Sequence, residues 1–446
     1  TVAGKTLDLY QIFTATKSEN NVAYTLNSAY EGFFKTKVEN GSSLSGEALS
    51  EAAYNYVKTQ VGTDGKNGAA FAKDILGWIL DNATTVASTH TTANTTEGTT
   101  VINNLDYGYY VVYPLGATDT SAAPGAQDYT SVASLVSVTG TDATVNMKSN
   151  YPTVVKKVND KNADDVNIGD TVIYTLTSKV PDMTGYTTYV FNFKDTLSTG
   201  LTFKEITSVT VGNTTLTKVE AGQEANDTYT LTQAGQNITI TMNNFLASNA
   251  NKAGQEIKVT YTATLNKEAV TGFDPNTNKA TVEYSNKPGT DGKGESEPSK
   301  VDVHTFNFTI FKYYLKGETK TGLANAEFEL YKANEAGDAA DTNAKINIVD
   351  ERNGVYRQAT ADEAKATGFT SAKIVSGADG KVLVKGLDAG TYYLRETKAP
   401  DGYNKLLSDI KVEIKANYDE TTGKLTSYSV NYTYNGTPIT GNAITN

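Results

Sequence analysis

TYYLRETKAPDGYNKL, residues 391 to 406, places an acid on what should be the buried face of a strand. At the two-residue period of a strand, Tyr392, Leu394 and Glu396 share one face, while Thr391, Tyr393 and Arg395 point the other way. A carboxylate on a core face is costly unless it has a partner or is held protonated by desolvation. A partner lies upstream in TFNFTIFKYYLKG, where Phe306, Phe308, Ile310, Lys312 and Tyr314 form an unbroken alternate series that carries an amine. The closing GNAITN puts Asn442, Ile444 and Asn446 at one parity, so an amine, an acid and a carboxamide can meet in one core. A lysine kept neutral by desolvation is a nucleophile, and a neutral carboxylic acid can hydrogen-bond the asparagine carbonyl and shuttle protons. The amine then displaces ammonia and leaves an intramolecular amide.

This stretch resembles the E box of sortase-assembled pilins of Gram-positive bacteria, and residues 305–446 resemble one of their CnaB-type immunoglobulin-like domains. The resemblance implies a self-generated isopeptide bond from Lys312, with Glu396 as its single-turnover catalyst. Asn446 matches the family's terminal hydrophobic-x-Asn pattern better than Asn442, although strand parity does not choose between them.

A second such set lies upstream. In VNMKSNYPTVVKKVND, residues 145 to 160, Val154, Lys156 and Val158 share a face and make Lys156 the core lysine. Asp195 belongs to the apolar series Tyr189, Phe191, Phe193, Asp195, Leu197, and Asn278 heads the series Asn278, Ala280, Val282, Tyr284. The set resembles the second domain of pilin shaft subunits, a CnaA-like sandwich whose bond uses Lys, Asp and Asn. The bland alternative is a buried ion pair with hydrogen bonds and no cross-link. Two sets, each expected to run from the first to the last strand of its segment, argue against it. Lys148, on the polar side of its stretch and just before Tyr151-Pro152, is the first candidate for the lysine that accepts the next subunit from a sortase, and Lys157 the second. The family's Tyr-Pro-Lys motif is broken here by Thr153.

Composition agrees with this class. The chain has 446 residues, too many for one compact core, and Thr, Val and 28 Tyr favour strands. The expected fold is mainly β: tandem immunoglobulin-like β-sandwich domains at 1–150, 151–304 and 305–446, with helical insertions in the first. A net charge of −11 argues against a nucleic-acid or anionic-membrane surface. The absence of cysteine excludes disulfides, thiolate metal sites and cysteine nucleophiles. His90 and His304 are far apart in sequence, and DKNADD and NEAGDAAD lack the spacing of a calcium loop, so no metal or cofactor is called for. There is no run of 18 apolar residues to span a membrane. The chain reads as a mature or trimmed piece, with its sorting signal expected beyond Asn446.

In the first segment TLNSAYEGFF, SGEALSEAAYNYVKTQ and AAFAKDILGWIL read as helices, the last with a core stripe of Phe71, Ile75, Trp78 and Ile79. Strands are expected at LDLYQIF, TTVINNL and GYYVVYP, and residues 90–100 are expected to form an exposed Thr-rich loop. Aligning Tyr109-Tyr110 on Tyr392-Tyr393 puts Tyr113 where Glu396 stands, so no isopeptide is expected there.

By resemblance the chain is the backbone subunit of a covalent surface pilus, extracellular and cell-wall-anchored. Its partners would be identical subunits joined end to end, a pilus-specific sortase, minor pilins and host surface ligands. The alternative is a minor pilin or adhesin that binds host matrix or glycans. No segment suggests an enzyme with turnover.

Overall fold

The structure is a computed structural model that describes residues 2–62, 68–118, 133–147 and 150–445. Strand is the predominant secondary structure, and the buried apolar residues gather into separate cores for the first, middle and last thirds of the chain.

The middle core lies between two sheets. One runs in the order Thr214–Thr215, Leu201–Val211, Glu256–Leu265, Thr171–Lys179, Val155–Val158, and the other is built around Phe191–Leu197 and Asn276–Ser285. Alternation dictates the arrangement. In Thr171–Lys179, Val172, Tyr174 and Leu176 are buried between partly or fully exposed neighbours, so one face of the strand must find cover. Each such side chain taken from water is worth roughly 1.5–3 kcal/mol.

The last core is built the same way. Phe306–Lys316 and Lys381–Leu387 lie in one sheet, and Glu327–Ala333, Gly390–Lys398, Ile410–Tyr418 and Leu425–Tyr434 in the other. The two sandwiches are tied together, for Ile168 N donates to Gly386 O at 2.9 Å and Tyr418 Oη to Asp165 Oδ2 at 2.9 Å.

The first region departs from the expected sandwich. Among the described residues it has a single five-stranded sheet, centred on Leu7–Ser18 and Gly108–Pro114, with helices on one face. Phe33, Phe34, Leu49, Ala53, Val57, Phe71, Ile75 and Ile79 from those helices complete the core against Ile12, Phe13 and Val111. Helical stripes at three- and four-residue spacing do here what a second sheet does elsewhere. Phe71, Ile75 and Ile79 are buried as the periodicity required, with Trp78 partly covered at the margin.

Three local expectations are corrected. TTVINNL is irregular: Val101 is 71% exposed, while Ile102 and Leu105 pack on the small cluster of Leu7, Leu9, Tyr110 and Val112 without pairing to a strand. The loop at residues 90–100 instead supplies the short strand His90–Thr92, which pairs with Leu7–Leu9. TLNSAYEGFF begins inside the strand Asn21–Leu26. Asn27 then accepts from Ala29 N and turns the chain into Ser28–Tyr30 and the helix Glu31–Lys37.

Candidate functional site

In the middle region the site is assembled from both sheets. Lys156, on Val155–Val158, lies opposite Leu176, and Tyr261, on Glu256–Leu265, lies opposite Tyr174 in the same sheet. Asp195 and Asn278 come from neighbouring strands of the facing sheet. Asp195 is opposite Ala280 and Asn278 opposite Leu197, so the two are diagonal neighbours on the core face. Any bond from Lys156 to Asn278 therefore crosses the sandwich.

The polar groups converge on one atom. Lys156 Nζ donates to Asp195 Oδ2 at 2.5 Å and to Tyr261 Oη at 2.8 Å. Tyr261 Oη donates to Asp195 Oδ2 at 2.7 Å and accepts from Asn278 Nδ2 at 2.6 Å. The Lys156 and Asp195 side chains have no exposed surface. Beneath them the rings of Tyr174 and Tyr261 stack with centroids 5.2 Å apart, and Nζ lies 4.9 and 5.1 Å from the two centroids. Burial lowers the Lys156 pKa below its ordinary 10.5, against the opposing pull of Asp195. Burial, and then the charge of Asp195, hold Tyr261 well above 10.0, so it remains a phenol. Asp195 Oδ1 and Asn278 Oδ1 are buried without a hydrogen-bond partner among the described residues. In that condition a proton shared between carboxyl and carbonyl gains most.

The last region uses a different frame. Lys312, on Phe306–Lys316, lies opposite Ile444 of the short parallel strand Ala443–Ile444. Glu396 comes from Gly390–Lys398 in the facing sheet, with Oε1 3.1 Å from Lys312 Nζ, and neither side chain is exposed. Glu396 Oε2 accepts from the backbone N–H of Leu406 at 2.6 Å, so the stretch after the strand holds the acid in place. Burial lowers the Lys312 pKa, again against its acid. Gly380 permits the close approach on the other side. Its φ is +76°, and a Cβ there would stand 2.2 Å from the Lys312 carbonyl oxygen.

The other sequence-derived candidates separate. Asn442 Nδ2 donates at 2.6 Å to Thr309 Oγ1, on the opposite face of the strand from Lys312, so its side chain is not brought to the amine. Asn446 and Lys148 lie outside the described residues. Lys157 Nζ donates to Asn162 Oδ1 at 2.5 Å, and Asn162 Nδ2 donates in turn to Thr421 O, so this lysine is engaged at the junction with the last region and not the first. Asn278 does not sit on the last strand of its region as expected. Lys293–Glu295 and Ser299–His304 follow it, the latter paired back onto Asn276–Ala280.

Sequence reasoning missed Tyr261. Its signal was present in EIKVTYTATL, where Ile257, Val259, Tyr261, Ala263 and Leu265 alternate, but a phenol in an apolar series reads as core. It also missed Asp8, a fully buried acid in the first region, 2.8 Å from Lys287 Nζ of the middle region and bonded by Thr91 Oγ1 at 2.6 Å. Tyr113 lies opposite Asp8, buried, its phenol pushed up to about 12. Among the described residues no group of His, Asp and Glu could hold a metal ion, and no helix is long and apolar enough to cross a membrane.

Comparison with known proteins puts a family on this arrangement. Residues 168–288 match the family model described as Gram-positive pilin backbone subunit 2, Cna-B-like domain. The middle region carries a domain of the Gram-positive pilin backbone family. A second model, SpaA, a prealbumin-like fold domain, matches residues 312–428 of the pilin. The middle match is thus described as Cna-B-like, where the motifs resembled a CnaA-like sandwich. The pilin is 27% identical over 325 residues to the trypsin-resistant surface T6 protein of Streptococcus pyogenes serotype M6, covering 64% of this chain and 50% of that one. It is 28% identical over 280 residues to fimbrial subunit type 2 of Actinomyces naeslundii, covering 59% and 50%. The chain therefore spans half the length of these curated relatives. In fold it is similar to the solved T6 backbone pilin of Streptococcus pyogenes, described as a modular three-domain structure, with a TM-score of 0.50, 14% identity and coverage of 99% and 94%. The family is structural and non-enzymatic, and its members are extracellular subunits of surface pili.

Proposed function

We propose that this backbone pilin is a self-cross-linking shaft subunit in which Lys156 bonds to Asn278 and Lys312 to Asn446, with Asp195 and Glu396 each acting once on their own chain. The observation that carries this reading is the pair of lysine amines removed from water, each against a carboxylate. An ion pair so buried is a poor source of stability, because desolvation offsets most of its attraction. As a reaction site it has a clear purpose. Desolvation favours the neutral amine, whose Nζ attacks the carboxamide carbon of asparagine. A C–N bond forms, the bond to Nδ2 breaks, and ammonia leaves with a proton that began on Nζ. The acid passes that proton on and ends as it began.

The proposed organisation is a first domain to residue 150 without a bond, a middle domain to 304 and a last domain to 446. The Lys156–Asn278 bond would close a loop of 122 residues (278 − 156), which the chain-entropy account values at roughly 5 kcal/mol. It needs no oxidant and resists reduction, which suits an extracellular chain without cysteine. A sortase would join the subunit to its neighbours and, through a minor pilin or directly, to the cell wall. Lys148 would be the acceptor, and Lys157 is the weaker candidate because its amine is already engaged.

Intact mass of the purified chain under denaturing conditions tests the reading. Two ammonia molecules fewer than the sequence mass are expected, with tryptic peptides joined at Lys156–Asn278 and Lys312–Asn446. An unchanged mass would overturn it.

A further inference from the structure

We infer that Tyr261 is a catalytic residue of bond formation in the middle region, relaying a proton between Asp195 and the departing nitrogen of Asn278. The inference rests on the cross-linking reading above and deepens it. Tyr261 Oη is within hydrogen-bond distance of all three reacting partners: Lys156 Nζ at 2.8 Å, Asp195 Oδ2 at 2.7 Å and Asn278 Nδ2 at 2.6 Å. Asn278 makes its hydrogen bond to this hydroxyl, so the shortest path for a proton from carboxyl to leaving group passes through it.

The step balances within the chain. Nζ attacks the side-chain carbonyl carbon of Asn278, whose Oδ1 takes the electron pair, and the attacking nitrogen gives up one proton to Asp195 Oδ2. As the carbon becomes tetrahedral, the lone pair on Nδ2 is freed from amide resonance and can accept a proton. Tyr261 gives its hydroxyl proton to Nδ2 and takes the proton held by Asp195. The carbonyl re-forms, the bond to Nδ2 breaks, and ammonia leaves. Tyrosine and aspartate are restored. Stacking on Tyr174 fixes the ring, so the hydroxyl needs only to rotate.

The last region supplies an internal control. There Glu396 reaches Lys312 directly and braces its other oxygen on Leu406 N–H. Tyr261 is outside that site, and its loss should leave Lys312 chemistry unchanged.

The test is cell-free synthesis of the whole chain, with tryptic mapping of both cross-links against time after synthesis. In Tyr261→Phe the Lys156 cross-link should form roughly 10²-fold more slowly than in wild type, while the Lys312 cross-link keeps its wild-type rate. Equal rates at Lys156 in the two chains would overturn the relay. Where the Phe variant fails to form a protease-resistant middle region, fluorotyrosine at position 261 keeps the fold and lowers the hydroxyl pKa. A relay then shifts the pH profile of the Lys156 rate, and an unshifted profile overturns it. A wild-type chain whose Lys156 and Asn278 peptides stay separate overturns the cross-linking reading and the relay together. That result cannot be confused with failure of the relay alone, in which wild type cross-links.

Discussion

In both regions the acid touches its lysine directly, but in the middle region the hydroxyl of Tyr261 also joins Lys156, Asp195 and Asn278, whereas in the last region Glu396 leans on the Leu406 backbone. The acids differ by one methylene, and the surroundings differ to match. The shorter side chain shares a tyrosine hydroxyl with the carboxamide, and the longer one reaches the amine and still spans to a backbone donor. What the two sites share is complete removal of amine and acid from water, which is the physical requirement for a neutral lysine. The first region fails that requirement. Asp8 is fully buried, but its partner Lys287 keeps 37% of its side chain exposed, so the pair behaves as a clasp between regions.

The largest effect should come from removing the acids. Asp195→Ala and Glu396→Ala should each abolish one cross-link and lower the stability of their own region by about 5 kcal/mol, read from separate denaturant transitions. Destabilisation of both regions by either change would break the view that the sites are independent.

Pulling sharpens the comparison further. With Lys156 bonded to Asn278, the stretch after Asn278 remains outside the closed loop, 26 residues to His304 (304 − 278). With the five residues before Lys156 also outside the loop, single-molecule stretching should show full extension of the first region and at most roughly 110 Å from the middle one. A middle region that extends along its whole length would refute the bond.

Alkali should separate the regions by a smaller margin. Burial raises Tyr109, Tyr110 and Tyr113 of the first region from 10.0 to about 12. A phenol whose folded pKa is raised stabilises fully below pH 10, and that contribution is lost as pH climbs through about 12. For the fully buried Tyr113 this is worth roughly 2–3 kcal/mol. The first region should unfold in that window, tracked by phenolate absorbance, before the regions proposed to be cross-linked.

Asn442→Ala should do least, changing stability by about 0.5 kcal/mol or less and leaving the Lys312 cross-link intact by mass. Loss of that cross-link would restore Asn442 as the bonding residue.

Much of this was legible in the residues themselves. A strand repeats every two residues, so Lys156, Asp195, Asn278, Lys312 and Glu396 could be assigned to core faces from their apolar neighbours alone, and all five are buried. The helical stripe of Phe71, Ile75 and Ile79 was equally plain, because a 3.6-residue period states which face is covered. Periodicity names a face but not what lies across from it. Only the tertiary structure decided that helices, and not a second sheet, cover the first region's strands, and that Tyr261 stands between Asp195 and Asn278. It also set the Asn442 side chain against Thr309, on the face of Phe306–Lys316 opposite Lys312, despite its sharing parity with Ile444. Parity is a property of one strand, whereas each of these depends on how separate elements are brought together.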